Sequence, residues 1–265
     1  MEDFSIKKYP RTPHLQGSRL QPGDEDLSQV SFSEIKDRNI VIEEKIDGAN
    51  SAISFSKDGE LLLQSRGHYL TGGFRERHYN LLKQWATVHQ EKFFDVLGER
   101  YIMYGEWMYA KHAIFYDALP SYFMEFDIYD REKQIYLDTP SRRKLTSQMP
   151  VCSVPVLATG RFKNQSDVIK YIGKSNYITD NHIETLRKIA IQNKLDPDRQ
   201  CAETDSSTTM EGLYIKLEED GEVKGRYKYV RASFLQCILQ SETHWLNRPI
   251  LPNQLAIPFE DMFKV

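Results

Sequence analysis

The stretch from Glu44 to Asn50 carries side chains that could do covalent chemistry. Lys45 follows an apolar run and stands in the pattern Lys-x-Asp-Gly-x-Asn, completed by Asp47, Gly48 and Asn50. An amine held at the end of a strand, just before a tight turn, can act as a nucleophile once it has lost its proton. The pattern alone is a weak indication, because a surface turn with a solvated lysine fits it equally well.

Further charged and aromatic side chains stand at the ends of predicted strands. They lie in Ser65-Arg66-Gly67, Tyr104-Gly105-Glu106-Trp107, Phe123-Met124-Glu125-Phe126-Asp127-Ile128, Glu211-Gly212-Leu213-Tyr214-Ile215-Lys216 and Gly225-Arg226-Tyr227-Lys228-Tyr229-Val230-Arg231. Strand alternation places Arg226 and Lys228 on one face, although an ordinary edge strand with solvated cations also explains that pattern. Together these segments predict a cluster of acids and cations around one lysine.

Hydrophobic periodicity predicts the elements that position this cluster. Ile40 and Ile42 begin a strand, and a hairpin joins 51–56 to 60–65 around Asp58-Gly59. One amphipathic helix covers 78–97, with Gly98 as its cap and His89 as a packed core residue.

The remaining predicted elements alternate between sheet and helix. Strands are expected over 100–107, 122–129, 213–217 and 223–230, and short helices over 180–195 and 233–240. Thr139-Pro140 is typical of a helix cap followed by a proline in the first turn. Hairpins rather than regular βαβ alternation favour an α+β fold with mainly antiparallel sheets.

The composition narrows the class of protein. The 265 residues carry a net charge of −3 and 40% hydrophobic residues, and no apolar run approaches the ~20 residues of a membrane span. Three scattered cysteines favour a reducing compartment, so we expect an intracellular, cytoplasmic protein. Residues 1–38 hold interleaved prolines and cations and are predicted to form an extended basic arm, whereas 139–209 reads as a mostly helical insertion.

In this order the motifs resemble those of the covalent nucleotidyltransferase superfamily, and within it the ATP-dependent RNA ligases. The resemblance runs from Lys45 to Arg231, and Asn50 favours RNA ligases over messenger-RNA capping enzymes, which resemble Lys-x-Asp-Gly-x-Arg. It implies one adenylyltransferase domain over 1–265, of the DNA/RNA ligase adenylation type, which is ATP-grasp-like.

The resemblance also implies a reaction and its residues. Lys45 would form a lysyl-adenylate from ATP, AMP would pass to a 5′-phosphate on RNA, and a 3′-hydroxyl would then seal the strand. The resemblance assigns adenine to Glu44 and Phe126, ribose or phosphate to Arg66, and the ribose hydroxyls to Glu106. It assigns the α-phosphate to Lys216 and Lys228, and nucleotide binding generally also to Asp47 and Asn50. Asp47, Glu106 and Glu211 would hold Mg²⁺ or Mn²⁺, partly through its waters. Lys216, Lys228 and the metal ion are expected to lower the pKa of Lys45.

The resemblance leaves alternatives open. Only about 34 residues follow Arg231, too few for the OB-fold domain of DNA ligases and capping enzymes. RNA ends, in a nicked duplex or a broken loop, are the expected partners, together with an end-healing kinase or phosphatase as another domain or protein. A minimal DNA ligase and a catalytically silent RNA-end-binding protein are the competing hypotheses.

Overall fold

Two sheets and six α-helices make up the described part of the chain, which in this computed structural model comprises residues 6–19, 29–234 and 249–264. The strands are β1 His14–Leu15, β2 Gln29–Val30, β3 Asn39–Lys45, β4 Ala49–Phe55, β5 Leu61–Ser65, β6 Tyr101–Trp107, β7 Phe123–Asp130, β8 Ile135–Tyr136, β9 Cys152–Ser153, β10 Val156–Arg161, β11 Gly212–Glu219 and β12 Glu222–Val230. The helices are α1 Asn80–Val88, α2 Gln90–Leu97, α3 Thr139–Thr146, α4 Gln165–Ile169, α5 His182–Gln192 and α6 Pro197–Ala202. The predicted α+β class with mainly antiparallel sheets is confirmed.

The first sheet has the strand order β10-β3-β11-β12-β1-β2. Strand β3 lies between β10 and β11 and is antiparallel to both. The β11–β12 hairpin turns at Asp220-Gly221, where both residues have positive φ. The apolar side chains of one face, including Ile40, Ile42 and Ile215, form a fully buried cluster.

The second sheet has the order β5-β4-β6-β7-β8, and β9 pairs with β7 in parallel. Its larger core packs against α1 and α2, where Trp85 stacks on Phe123 with ring centroids 5.4 Å apart. A smaller cluster rich in tyrosines contains residues of both sheets, including Tyr104 of β6 and Val223 of β12. Strand β3 of the first sheet and strand β4 of the second are joined by the short turn that follows Lys45.

Two predicted helix features differ from the structure. The helix expected over 78–97 is two helices, α1 and α2, with His89 between them at φ −100° and ψ 8°. His89 is buried, as predicted, and a ring nitrogen lies 2.7 Å from the Met262 carbonyl oxygen. The His89 N–H still donates to the Trp85 carbonyl at 3.3 Å, and the His89 carbonyl accepts from the Phe93 N–H at 3.0 Å, so backbone bonds continue from α1 into α2. The cap of α3 is Asp138, whose carboxylate accepts from the Ser141 N–H, and not Thr139.

Two predicted segments are less regular than expected. The segment 139–209 contains α3 to α6, but it also contains β10, which pairs with β3 along 156–161. Helix α5 begins at His182, and its N-cap Asn181 makes no side-chain capping bond. Most of the helix predicted over 233–240 lies outside the described residues.

The described part of the predicted arm is built into the first sheet. His14 and Leu15 are fully buried, and β1 pairs in parallel with both β12 and β2. The Tyr9 hydroxyl donates to Asp127 Oδ2 of β7 at 2.8 Å, so the arm also contacts the second sheet. Residues 6–19 thus pack against both sheets, and Phe32–Glu34 forms a 3-10 helix. Among the described residues, no helix combines the length and apolar character that crossing a membrane requires.

Candidate active site

The predicted nucleophile lies where two neighbouring strands of the first sheet end. Lys45 closes β3 and stands opposite Gly212 of β11, directly after Glu211. Its Nζ lies 2.6 Å from Glu211 Oε2, and the lysine side chain is 21% exposed whereas that of Glu211 is 1% exposed. The lysine side chain is therefore partly exposed to solvent, whereas the carboxylate beside it is buried.

Gly212 allows β11 to lie close to β12. A Cβ at this position would lie 1.9 Å from the carbonyl oxygen of Tyr229 on β12. Any other residue would push β12 away from β11 and move Glu211 relative to Lys45. The glycine after the acid therefore has a packing reason for being there.

The turn after Lys45 is held by the loop that follows β6. Asp47 Oδ2 accepts from the backbone N–H groups of Ala113 and Ile114 at 2.8 and 3.2 Å. The backbone N–H of Asp47 donates to the Tyr116 hydroxyl at 2.8 Å. Burial tends to raise the pKa of Asp47, but the contacts with His112, the charge of Lys45 and the Ala113 N–H outweigh it, so the pKa is lowered. Asp47 is therefore a carboxylate at neutral pH.

Gly48 lets this turn fit against β6. A Cβ there would lie 2.7 Å from the Met108 sulfur and 2.8 Å from the Trp107 carbonyl oxygen. The Gly48 N–H instead donates to Glu106 Oε1 at 3.2 Å. The Asp47-Gly48 step thus brings Glu106 of β6 beside the turn that follows Lys45.

Glu106 has the most informative electrostatics of the site. Burial raises its pKa to about 7, and the neighbouring carboxylates of Asp47 and Glu211 add to this, against the opposing charge of Lys45. Asn50 of β4 stands opposite Glu106 in the sheet. Its Oδ1 is buried and has no hydrogen-bond partner among the described residues. A buried amide oxygen without a donor, beside an acid, fits a site that receives hydroxyl or amino groups of a ligand.

The charge around Lys45 differs from the sequence-based expectation. Burial tends to lower the pKa of Lys45, but Glu211, followed by Glu106 and Asp47, outweighs it, and the pKa is raised. Acids rather than the predicted cations therefore set the protonation of the amine in the protein alone. The lysine is held charged until something else changes its surroundings.

Lys216 is not in contact with Lys45. It stands opposite Val41, four positions earlier on β3, which is about 13 Å along the strand. Its Nζ lies 3.0 Å from Glu43 Oε2 and donates to the Phe126 carbonyl oxygen, and the side chain is almost fully buried. In the protein alone Glu43 and the Phe126 carbonyl engage the Lys216 amine, and its α-phosphate role stays a prediction.

Lys216 belongs to a buried ion network that sequence reasoning missed. Arg142 of α3 donates to Glu43 Oε1 of β3 at 2.6 Å and to Glu125 Oε2 of β7 at 3.0 Å, and all three side chains are fully buried. The sequence Ser-Arg-Arg-Lys around Arg142 is typical of a solvated helix end, so no local pattern marked it. The helix rotation that buries Arg142 also leaves Arg143 exposed.

The remaining predicted residues are spread around the two sheets. Glu44 is buried and accepts from the side chains of Ser175 and Asn176, so its oxygens are already used by the protein. Phe126 of β7 is half-buried and packs edge-on against Tyr9, with ring centroids 5.0 Å apart. Arg66 is exposed just after β5, and Lys228 is buried on β12 opposite Tyr214.

A divalent metal fits this site only through water. Within the described ranges, no group of three His, Cys, Asp or Glu side chains is placed to hold a metal ion directly. Asp47 Oδ2 is taken by two backbone N–H groups and Glu211 Oε2 by Lys45. Asp47, Glu106 and Glu211 therefore match a hydrated ion that keeps its own ligand waters, as Mg²⁺ usually does.

The fold agrees with comparisons to known proteins. Solved structures of the Naegleria gruberi RNA ligase are similar in fold: a mutant with AMP and Mn (TM-score 0.54, 16% identity, 89% of this chain and 59% of that chain) and another with ATP and Mn (TM-score 0.52, 18% identity, 87% and 58%). This chain thus spans less than two thirds of those proteins. A search of curated proteins found no match.

The comparison of the sequence with family models covers most of the chain. The model of the RNA ligase family matches residues 38–230, from just before β3 to the end of β12. This range contains Lys45, Asp47, Glu106 and Glu211. The similarity in fold to the solved structures confirms the predicted nucleotidyltransferase architecture. The chain belongs to the RNA ligase family.

Proposed function

We propose that the chain is an ATP-dependent RNA ligase that joins 5′-phosphate and 3′-hydroxyl RNA ends through lysyl-AMP and RNA-adenylate intermediates. The observation that carries the proposal is the reachable Lys45 amine, 2.6 Å from a buried Glu211, in a cluster with Asp47 and Glu106. A binding module has no need for a strand-end lysine surrounded by three acids. Repair of broken RNA is the biological role we assign to this reaction.

In the first step Lys45 attacks the α-phosphorus of ATP. A nitrogen–phosphorus bond forms, and the bond to the bridging oxygen of pyrophosphate breaks. The proton on Nζ must leave first, and Glu211 Oε2 is the acceptor in contact with it. Bound Mg²⁺ or Mn²⁺ would neutralise negative charge on the phosphates.

The neighbouring residues receive roles from their positions. Glu106, as a carboxylate, accepts from the ribose hydroxyls, and Asn50 Oδ1 accepts from a ligand donor that the protein itself does not supply. Phe126 offers a half-buried ring for the adenine, and Arg66 is exposed beyond β5 for phosphate or ribose. Lys228 has the α-phosphate role that the resemblance implies. Discrimination of ATP from GTP rests less on Glu44 than the resemblance implied, because Ser175 and Asn176 occupy its oxygens.

The test is transfer of label from α-labelled ATP to the protein. Incubation with ATP and Mg²⁺ or Mn²⁺ should give a labelled band after denaturing electrophoresis, and peptide mass analysis should place AMP on Lys45. Lys45→Ala should abolish the band. Lys92→Ala, an exposed lysine of α2, should keep it.

Sealing assays separate the competing reactions. The proposal expects joining only when one RNA end has a 5′-phosphate and the other a 3′-hydroxyl. A labelled protein that seals nicked DNA and not RNA would contradict the RNA ligase assignment. Absence of any lysyl-AMP in the unaltered protein would contradict the proposed function as a whole.

A further inference from the structure

The C-terminal segment, residues 249–256, lies alongside the loop that follows β6. This lysine-turn loop, residues 108–122, is the one that holds Asp47. Backbone bonds join the two at both ends: the Lys111 N–H donates to the Leu251 carbonyl at 2.8 Å, and the Ala256 N–H donates to the Leu119 carbonyl at 2.7 Å. The loop is therefore fastened along most of its length by residues far away in sequence.

Asn253 is the centre of this attachment. It is fully buried, its Nδ2 donates to the Met108 carbonyl at 2.6 Å, and its Oδ1 accepts from the Tyr116 N–H at 2.9 Å. Its own backbone N–H donates to the Tyr109 carbonyl at 2.8 Å, and its carbonyl accepts from the Tyr122 hydroxyl at 2.8 Å. The Asn253 side chain thus fixes the distance between the parts of the loop that contain Met108 and Tyr116.

Tyr116 connects this attachment to the nucleophile. Its N–H is bonded to Asn253 Oδ1, and its carbonyl accepts from the Gln254 N–H at 2.8 Å. Its hydroxyl, at the other end of a fully buried side chain, accepts from the Asp47 N–H at 2.8 Å. Asp47 is two residues from Lys45, so a continuous chain of bonds runs from the C-terminal segment to the lysine turn.

We propose that Asn253, acting through Tyr116, is a positioning residue for adenylyl transfer to Lys45. The inference rests on the proposed function. The segment lies outside the range 38–230 that matches the model of the RNA ligase family. The physical reason is geometric: a displacement of about 1 Å of a reacting group can cost about 10²-fold in rate.

A pair of tyrosine variants separates positioning from stability. Tyr116→Phe removes the hydroxyl that accepts from Asp47, and Tyr122→Phe removes a hydroxyl that bonds the same segment at Asn253. Both lose one buried hydroxyl contact of 2.8 Å, so similar losses of thermal stability are expected. Only Tyr116→Phe should slow lysyl-AMP formation, by about tenfold or more at saturating ATP, with little change in the KM for ATP.

A second pair tests the segment itself. Asn253→Ala removes both side-chain bonds to the loop, and Leu251→Ala removes buried apolar contacts of the same segment. Rates are measured in single turnovers at a temperature where circular dichroism shows both variants folded. Asn253→Ala should slow lysyl-AMP formation by about tenfold or more, whereas Leu251→Ala should stay within about threefold of the unaltered protein.

The outcomes are distinguishable from failure of the proposed function. An unaltered protein that forms no lysyl-AMP contradicts the proposed function. If the unaltered protein forms it, equal rates for Tyr116→Phe and Tyr122→Phe overturn the positioning role. So does a rate loss in Asn253→Ala that merely follows its loss of thermal stability, matched by Leu251→Ala.

Discussion

At the scale of single residues, Glu106 shows how placing three acids around one lysine lowers the stability of the folded protein. Burial and neighbouring carboxylates raise its pKa to about 7, so at neutral pH it is divided between two protonation states. A carboxyl group whose pKa is higher in the folded than in the unfolded protein lowers the free energy of unfolding as pH rises. The loss begins near the ordinary pKa of about 4.5 and is complete above about 7.

Glu106→Gln should therefore separate stability from activity. At pH 8 the variant should be more stable than the unaltered protein by as much as about 3 kcal/mol, because the amide is never charged. At pH 5 the difference should fall to less than about 1 kcal/mol. Lysyl-AMP formation should fall about tenfold or more, since a charged acceptor is lost.

Urea unfolding at the two pH values, with a labelling assay beside it, measures both effects. Glu99→Gln, an exposed acid just before β6, is the control and should change neither quantity. A stability difference that is the same at pH 5 and pH 8 would show that the carboxyl group of Glu106 does not titrate as described.

At the scale of elements, Arg142 ties helix α3 to both sheets. Its guanidinium bridges Glu43 of β3 and Glu125 of β7 with no exposure to water. Burial raises the pKa of Glu125, and Arg142 opposes that shift. The bridge therefore sets the spacing between the strand that carries Lys45 and the strand that carries Phe126.

Arg142→Ala should destabilise the protein by about 3–5 kcal/mol at neutral pH, because Glu125 loses its cation and Glu43 is left with Lys216 alone. The loss should shrink as pH falls, since a carboxyl group with a raised pKa takes up a proton and then needs no cation. Arg143→Ala on the exposed side of α3 should cost little. Denaturant unfolding of both variants across pH gives the comparison, and a pH-independent loss would argue against buried carboxylates as its cause.

The elements also show which features sequence patterns predict. Strands such as β4 and β6 and the turn at Asp220-Gly221 follow from alternation and turn residues, which are local properties. The sequence predicts the group of acids around Lys45, because these acids and the glycines beside them lie within a few positions of strand ends. The sequence did not predict the roles of Arg142 and Asn253, because Glu43 is 99 residues from Arg142 and Tyr116 is 137 residues from Asn253, and nothing nearby in sequence marks either residue as buried.

At the scale of the whole molecule, the cations of the arm can be tested without removing the arm. Deleting residues 1–20 would take away Tyr9, His14 and Leu15, which are buried, so we expect it to destabilise the fold and impair lysyl-AMP formation. Lys8 and Arg19 are exposed and can be neutralised instead.

The double variant Lys8→Gln, Arg19→Gln should leave lysyl-AMP formation and thermal stability unchanged. If each cation binds one phosphate, the slope of log affinity for single-stranded RNA against log salt should become shallower by about 1.4. Lys92→Gln with Lys188→Gln, two exposed cations of α2 and α5, is the matched control. Equal slopes for the two double variants would show that the arm does not contact RNA.

The pairing of β1 with β12 also bears on how the protein is made. The Ser18 hydroxyl accepts from the Val230 N–H, a contact spanning 212 residues, and Lys45 meets Glu211 across 166 residues. Contacts so distant in sequence form slowly and only after most of the chain has left the ribosome. A nascent chain therefore carries Lys45 long before Glu211, the acid that contacts its amine, has been synthesised.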